Sequence, residues 1–96
     1  LQIDIAMCNY NKSISYYKLK KYNEVLEECN KARKIFQKQN LLLNIAVCNQ
    51  REGLIYCNLK RPEKAIEFLD KARKTFKEYN QNEQYLFPPS LHDWLP

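Results

Sequence analysis

Ile5-Ala6-Met7-Cys8-Asn9 and Ile45-Ala46-Val47-Cys48-Asn49 are two copies of one pattern, forty residues apart. Sliding the chain by the same step lays Tyr16 over Tyr56 and Leu19-Lys20 over Leu59-Lys60. It also lays Lys31-Ala32-Arg33-Lys34-x-Phe36 over Lys71-Ala72-Arg73-Lys74-x-Phe76. Between residues 5–40 and 45–80, 14 of 36 positions are identical. A repeat of this length is the mark of a supersecondary unit that cannot bury its apolar face alone and stacks on its neighbour.

Each unit divides into two helices. Val25, Leu26, Cys29, Ala32 and Phe36 follow the 3–4 spacing of a buried helical stripe, and Ala65, Ile66, Leu69, Ala72 and Phe76 repeat it. Pro62 suits a first helical turn, where the missing N–H has no partner to lose. That position implies tight breaks near Lys20–Lys21 and Lys60–Arg61. Asn40 and Asn80 close the second helices, since asparagine tolerates the left-handed conformation found there. The pattern predicts helices over 2–19, 22–38, 42–59 and 62–79. Glu27–Lys31 and Glu67–Lys71 are placed as i,i+4 pairs on exposed faces. The single glycine argues against all-β and phosphate-loop folds, so the fold class is all-α.

Within this frame the spacing resembles the tetratricopeptide repeat. That family shows a small residue, an aromatic three later, a small residue nine further on, a large apolar residue four after it, and alanine three later. The second unit carries Gly53, Tyr56, Ala65, Leu69 and Ala72 at these steps; the first carries Ser13, Tyr16, Val25, Cys29 and Ala32. Small residues let paired helices approach, and the aromatic fills the space between them. The resemblance spans residues 5–80 and departs from the family in its period, 40 rather than about 34. It is similar to the extended repeats of spindle-orientation and kinesin-light-chain scaffolds and of bacterial peptide-sensing regulators. Apolar and aromatic positions of the motif are taken by Lys12 and Glu52 and by Asn9 and Asn49. Lys12 and Glu52 are expected either to pair across the repeat boundary or both to face solvent.

The resemblance implies a right-handed solenoid of two helical hairpins, repeat 1 over 1–40 and repeat 2 over 41–80. It also implies an inner wall lined by the first helix of each unit. The inward positions would include Tyr10, Asn11, Ile14, Tyr17 and Lys18 from one unit and Gln50, Arg51, Leu54 and Asn58 from the other. Such a wall suits a partner protein's peptide or helix with apolar anchors and some acidic character. The alternative is that some of those positions pack against a neighbouring repeat, and a chain beginning at Leu1 is expected to be a piece of a longer protein. The family's clamp for acidic chaperone termini is not supported, because Tyr10, Ile14 and Arg51 stand where it needs asparagine and lysine.

Residues 81–96 break the pattern, with Pro88-Pro89 ending any helix and Ser90 able to cap a last turn. Residues 1–80 hold 16 Lys/Arg against nine Asp/Glu, a net +7, whereas the tail carries only Glu83 and Asp93, a net −2. Two readings stand: a terminal cap burying Leu86, Phe87 and Trp94, or a segment lying in a groove, its own or a neighbour's, with self-association in the second case.

The other function classes find less support. His92 is the single histidine, and no phosphate loop, metal spacing or Cys–His pair accompanies it, so neither catalysis nor a cofactor or metal is expected. Nucleic acid is the main rival partner, through a basic stripe of Lys31, Arg33, Lys34, Lys71, Arg73 and Lys74, yet Glu27, Glu28, Glu67 and Asp70 lie beside it. A fragment of a peptide-sensing regulator is the third reading. Cys8, Cys29 and Cys48 fall on apolar faces and read, with Cys57, as free thiols of a reducing compartment, hence an intracellular and most simply cytoplasmic protein. No apolar run reaches the roughly 20 residues of a membrane span. The sequon Asn11-Lys12-Ser13 lies inside a helix and is treated as chance.

Overall fold

A computed structural model of the chain describes residues 1–80. Expectations for the tail, 81–96, lie outside the described residues. The described part is all-α: α1 (Gln2–Lys18), α2 (Tyr22–Lys38), α3 (Leu42–Asn58) and α4 (Pro62–Asn80), with no strand among the described residues. The boundaries agree with the sequence pattern to within one residue at every end. Each helix packs chiefly against the next along the chain, and corners this short make neighbours run antiparallel.

The three corners share one geometry. Lys20, Asn40 and Lys60 adopt left-handed backbone, with φ of 59°, 57° and 59°. At the first, Lys20 N–H donates to the Tyr17 carbonyl at 3.0 Å and Lys21 N–H to the Tyr16 carbonyl at 2.9 Å. Asn40 and Leu41 do the same with Gln37 and Phe36, and Lys60 and Arg61 with Cys57 and Tyr56. This is the Schellman pattern, which satisfies the last helical carbonyls. The next helix opens at once: Val25 N–H reaches the Lys21 carbonyl at 3.1 Å and Ala65 N–H the Arg61 carbonyl at 3.0 Å. Lys21 and Leu41 stand at the N-cap positions and make no side-chain capping bond.

The core forms two clusters. Ala6, Ala32, Phe36 and Cys48 meet toward one end, with Ile45 and Leu41 packed on them. Val25, Cys29 and Ile55 meet toward the other, with Tyr16, Leu26 and Leu59 around them. The motif's small positions are buried as the spacing implies: Ser13, Ala32, Gly53, Ala65 and Ala72 are all enclosed, with Tyr16 and Tyr56 half-buried. Two apolar expectations need correction. Ile66 is 59% exposed, and Cys8 is exposed although its repeat mate Cys48 is buried.

Gly53 lets α4 lie close against α3. A Cβ there would lie 2.6 Å from both Cγ and Cδ2 of Leu69. The equivalent pair in the first unit is Ser13 and Cys29, both fully buried. A larger residue on one helix is matched by a smaller one on the other. The sum is conserved between units while the parts are exchanged.

Candidate functional site

The expected inner-wall residues separate into three groups. Asn11, Lys18 and Asn58 are exposed, and Tyr10, Ile14 and Tyr17 are half-buried. Gln50, Arg51 and Leu54 are buried, at 3%, 9% and 2% exposure. An open wall is therefore not what these three side chains line. The middle of α3, from Cys48 to Ile55, is enclosed all round. Asn58 is occupied locally, its Nδ2 donating to the Leu54 carbonyl at 3.1 Å.

Arg51 joins α3 to α1. Its guanidinium carbon lies 5.2 Å from the Tyr17 ring centroid and 5.9 Å from that of Tyr10. Tyr10 and Tyr17 are two turns apart on α1 and so share a face. Tyr17 in turn leans on Tyr22, centroid to centroid 6.3 Å at 52°. A desolvated cation over an aromatic face gains about 2 kcal/mol. Among the described residues no carboxylate pairs with Arg51. Among the described residues its Nε, the Tyr17 hydroxyl and Gln50 Oε1 are buried and find no hydrogen-bond partner. The cluster thus holds one full positive charge, an unused N–H donor, a hydroxyl and an unused amide carbonyl.

A second polar cluster sits where α2 meets α3. Arg33 donates to the Glu52 carboxylate, to Asn49 Oδ1 at 3.3 Å and to Asn30 Oδ1 at 2.6 Å. The Phe68 ring lies 5.5 Å from its guanidinium carbon, and Phe68 stacks on Tyr56 at 5.5 Å and 20°. Glu52 is 3% exposed. Burial pushes its carboxyl above the ordinary glutamate range, while the Arg33 hydrogen bond and charge pull the other way. Neither expectation for Lys12 and Glu52 holds: Lys12 is exposed, and Glu52 is buried against Arg33. The reason is connectivity. In chain order α2 lies between α1 and α3, and its Arg33 reaches Glu52. The same contact removes Arg33 from the basic stripe, leaving Lys31, Lys34, Lys71, Arg73 and Lys74 exposed. Within it, Lys31 pairs with Glu27 and Glu28 at 3.4 and 3.2 Å, and Lys71 with Glu67 at 3.6 Å.

The thiols form no bond with one another. Cys29 and Cys48 are buried, and Cys57 is exposed like Cys8. Burial pushes the Cys29 thiol up to about 11, against the pull of the Ser13 hydroxyl, and drives Cys48 up as well. Buried thiols of this kind are inert packing groups. Among the described residues no cluster of histidine, cysteine or carboxylate side chains could hold a metal ion. None of the described helices is long and apolar enough to cross a membrane.

The sequence matches no family model, and neither a curated protein nor a solved structure matches it. The tetratricopeptide resemblance therefore rests on the internal repeat, its spacing and the helical hairpins alone.

Proposed function

We propose that the chain is a helical-repeat interaction module of the tetratricopeptide type, holding a partner protein through a carboxylate-bearing peptide or helix. One observation carries this reading: the Arg51 guanidinium lies over the Tyr10 and Tyr17 rings, and its Nε finds no hydrogen-bond partner among the described residues. Leaving a buried charged donor without an acceptor is costly. A carboxylate that enters beside Arg51 would remove that cost, and the two rings and Ile14 would take an apolar anchor next to it. Tyr10, Asn11, Ile14, Tyr17 and Lys18 form the accessible side of the proposed site, with Gln50, Arg51 and Leu54 behind them. Asn58 stands at its edge.

Calorimetry with Leu/Phe-anchored peptides tests the reading, each made with Asp or Glu and again with Asn or Gln. The acidic members should bind at least about tenfold more tightly. Arg51→Gln and Tyr17→Ala should erase the preference while the helical circular dichroism is kept. Equal affinity for acidic and amide peptides would remove the proposal. Binding to generic RNA that weakens steeply with salt would favour the basic-surface reading instead.

A further inference from the structure

Two buried side chains of α3 face a direction that its helical neighbours do not take. Successive residues of an α-helix turn by about 100°. Gln50 therefore stands about 160° round α3 from Glu52, which takes Arg33 of α2. It stands about 60° from Gly53, which meets Leu69 of α4, and about 100° from Arg51, which meets Tyr10 and Tyr17 of α1. Leu54 lies about 40° from Gln50, on the Arg51 side. Both thus point between α1 and α4, away from α2. Open to water, that side would leave them exposed, yet Gln50 is 3% and Leu54 2% exposed. Leu54 belongs to neither core cluster, and Gln50 Oε1 finds no hydrogen-bond partner among the described residues.

The repeat indicates what lies there. Gln50 and Leu54 correspond to Tyr10 and Ile14 of α1. Tyr10 is covered by Arg51, which belongs to the first helix of the following unit. After the second unit, the segment at that point of the chain is 81–96. We infer that residues 81–96 lie along α3 between α1 and α4 and cover Gln50 and Leu54. Their reach suffices. α4 runs antiparallel to α3 and ends at Asn80, beside the first turn of α3. Gln50 and Leu54 stand about 12 and 18 Å along the axis from Leu42. About six extended residues span that distance, which brings Leu86 and Phe87 to the two side chains, with Leu91, Trp94 and Leu95 following. Charge is complementary: residues 1–80 carry +7 and the segment −2. Arg51, next to Gln50, has no carboxylate partner among the described residues. The consequence for binding rests on the function proposed above: an acidic partner entering beside Arg51 competes with a segment the chain itself supplies.

The test uses the full chain with Cys8→Ser and a nitroxide on the exposed Cys57, two turns beyond Gln50 on the same side of α3. Trp94 is the single tryptophan, so its indole N–H gives one resonance. That resonance should lose most of its intensity against the reduced label, and equally on dilution. A nitroxide on Cys8, with Cys57→Ser, should leave it intact. Leu86→Asp with Phe87→Asp, outside the four helices, should restore the signal. The same double variant should bind the acidic peptides at least about fivefold more tightly, because the wild type is competent only while the segment is away. A Trp94 resonance untouched by the Cys57 label, or broadened alike from Cys8, would overturn the inference. Broadening that fades on dilution would do so too, since the cover would then come from a second copy. Equal peptide affinity of the two chains would overturn the competition. Broadening from Cys57 with no acidic peptide binding either chain would uphold the position of the segment and remove the acidic-peptide reading alone.

Discussion

Gly53 and Leu69 touch so closely that a single methyl group on Gly53 would stand 2.6 Å from two atoms of the leucine side chain. Alanine at Gly53 should therefore destabilise the fold by about 1–3 kcal/mol, despite its better helix propensity. Leu69→Cys in the same molecule copies the Ser13–Cys29 arrangement and should recover much of the loss. Urea unfolding of the two single variants and the double variant measures the coupling. Additive losses would show that the two helices do not adjust to each other here.

Arg33 and Glu52 should behave as a coupled unit. Arg33→Met leaves a buried carboxylate without its cation and should cost about 3–5 kcal/mol, whereas Arg33→Met with Glu52→Leu should cost considerably less. A double-mutant cycle by thermal or chemical unfolding reads this difference.

The same carboxylate gives a pH dependence of defined sign. Because burial raises the Glu52 pKa above its unfolded value of 4.5, the folded chain holds that proton to higher pH than the unfolded chain does. Its contribution to stability is greatest below 4.5 and falls as pH rises from there through the raised folded value, beyond which it is constant. The comparison is between wild type and Glu52→Gln, which isolates this one group. The stability difference, wild type minus variant, should decline over that window.

Thiol reactivity should divide the cysteines into two pairs. Near pH 8 a disulfide reagent should modify Cys8 and Cys57 in the folded chain, and Cys29 and Cys48 only at the rate of unfolding. Mass spectrometry of the partly modified protein identifies the sites.

The left-handed corners leave room for stabilisation. Lys20→Gly and Lys60→Gly should each raise stability by about 0.5–1 kcal/mol, since a side chain in this conformation carries a steric cost that glycine lacks. Asn40→Gly should do less, because asparagine already tolerates the conformation. Shifts in Tm of a few degrees would register the effect.

The helices were legible because two independent signals agree: the forty-residue echo and the apolar stripes running from Val25 to Phe36 and from Ala65 to Phe76. Pro62 and Asn40 then placed the corners. The left-handed lysines carried no such signal, since lysine has no special fitness for that conformation; Pro62 and the repeat marked breaks near Lys20–Lys21 and Lys60–Arg61 without indicating their backbone. The polar interior was the harder part. Arg33 sits in a run of cations, and charge alone makes it a surface residue. What marked it was on α3, where Asn49 and Glu52 occupy positions the repeat motif reserves for aromatic and apolar side chains. Two polar groups one turn apart on a packed face need a partner from the helix that covers it, and that helix is α2. The enclosure of Gln50, Arg51 and Leu54 had no counterpart in the pattern, because a two-unit reading leaves the inner face of α3 open.

The corners closed by Lys20, Asn40 and Lys60 also set how the chain reaches its fold. Each helix finds its main neighbour immediately after a three-residue bend, so nearly all stabilising contacts join segments close in sequence. Little loop-closure entropy is spent before such contacts form, and chains of this kind acquire structure in microseconds to milliseconds. A hairpin can assemble while later residues are still being synthesised. Kinetic arrest is then expected only where the two units must register against each other, at the buried contact between Arg33 and Glu52.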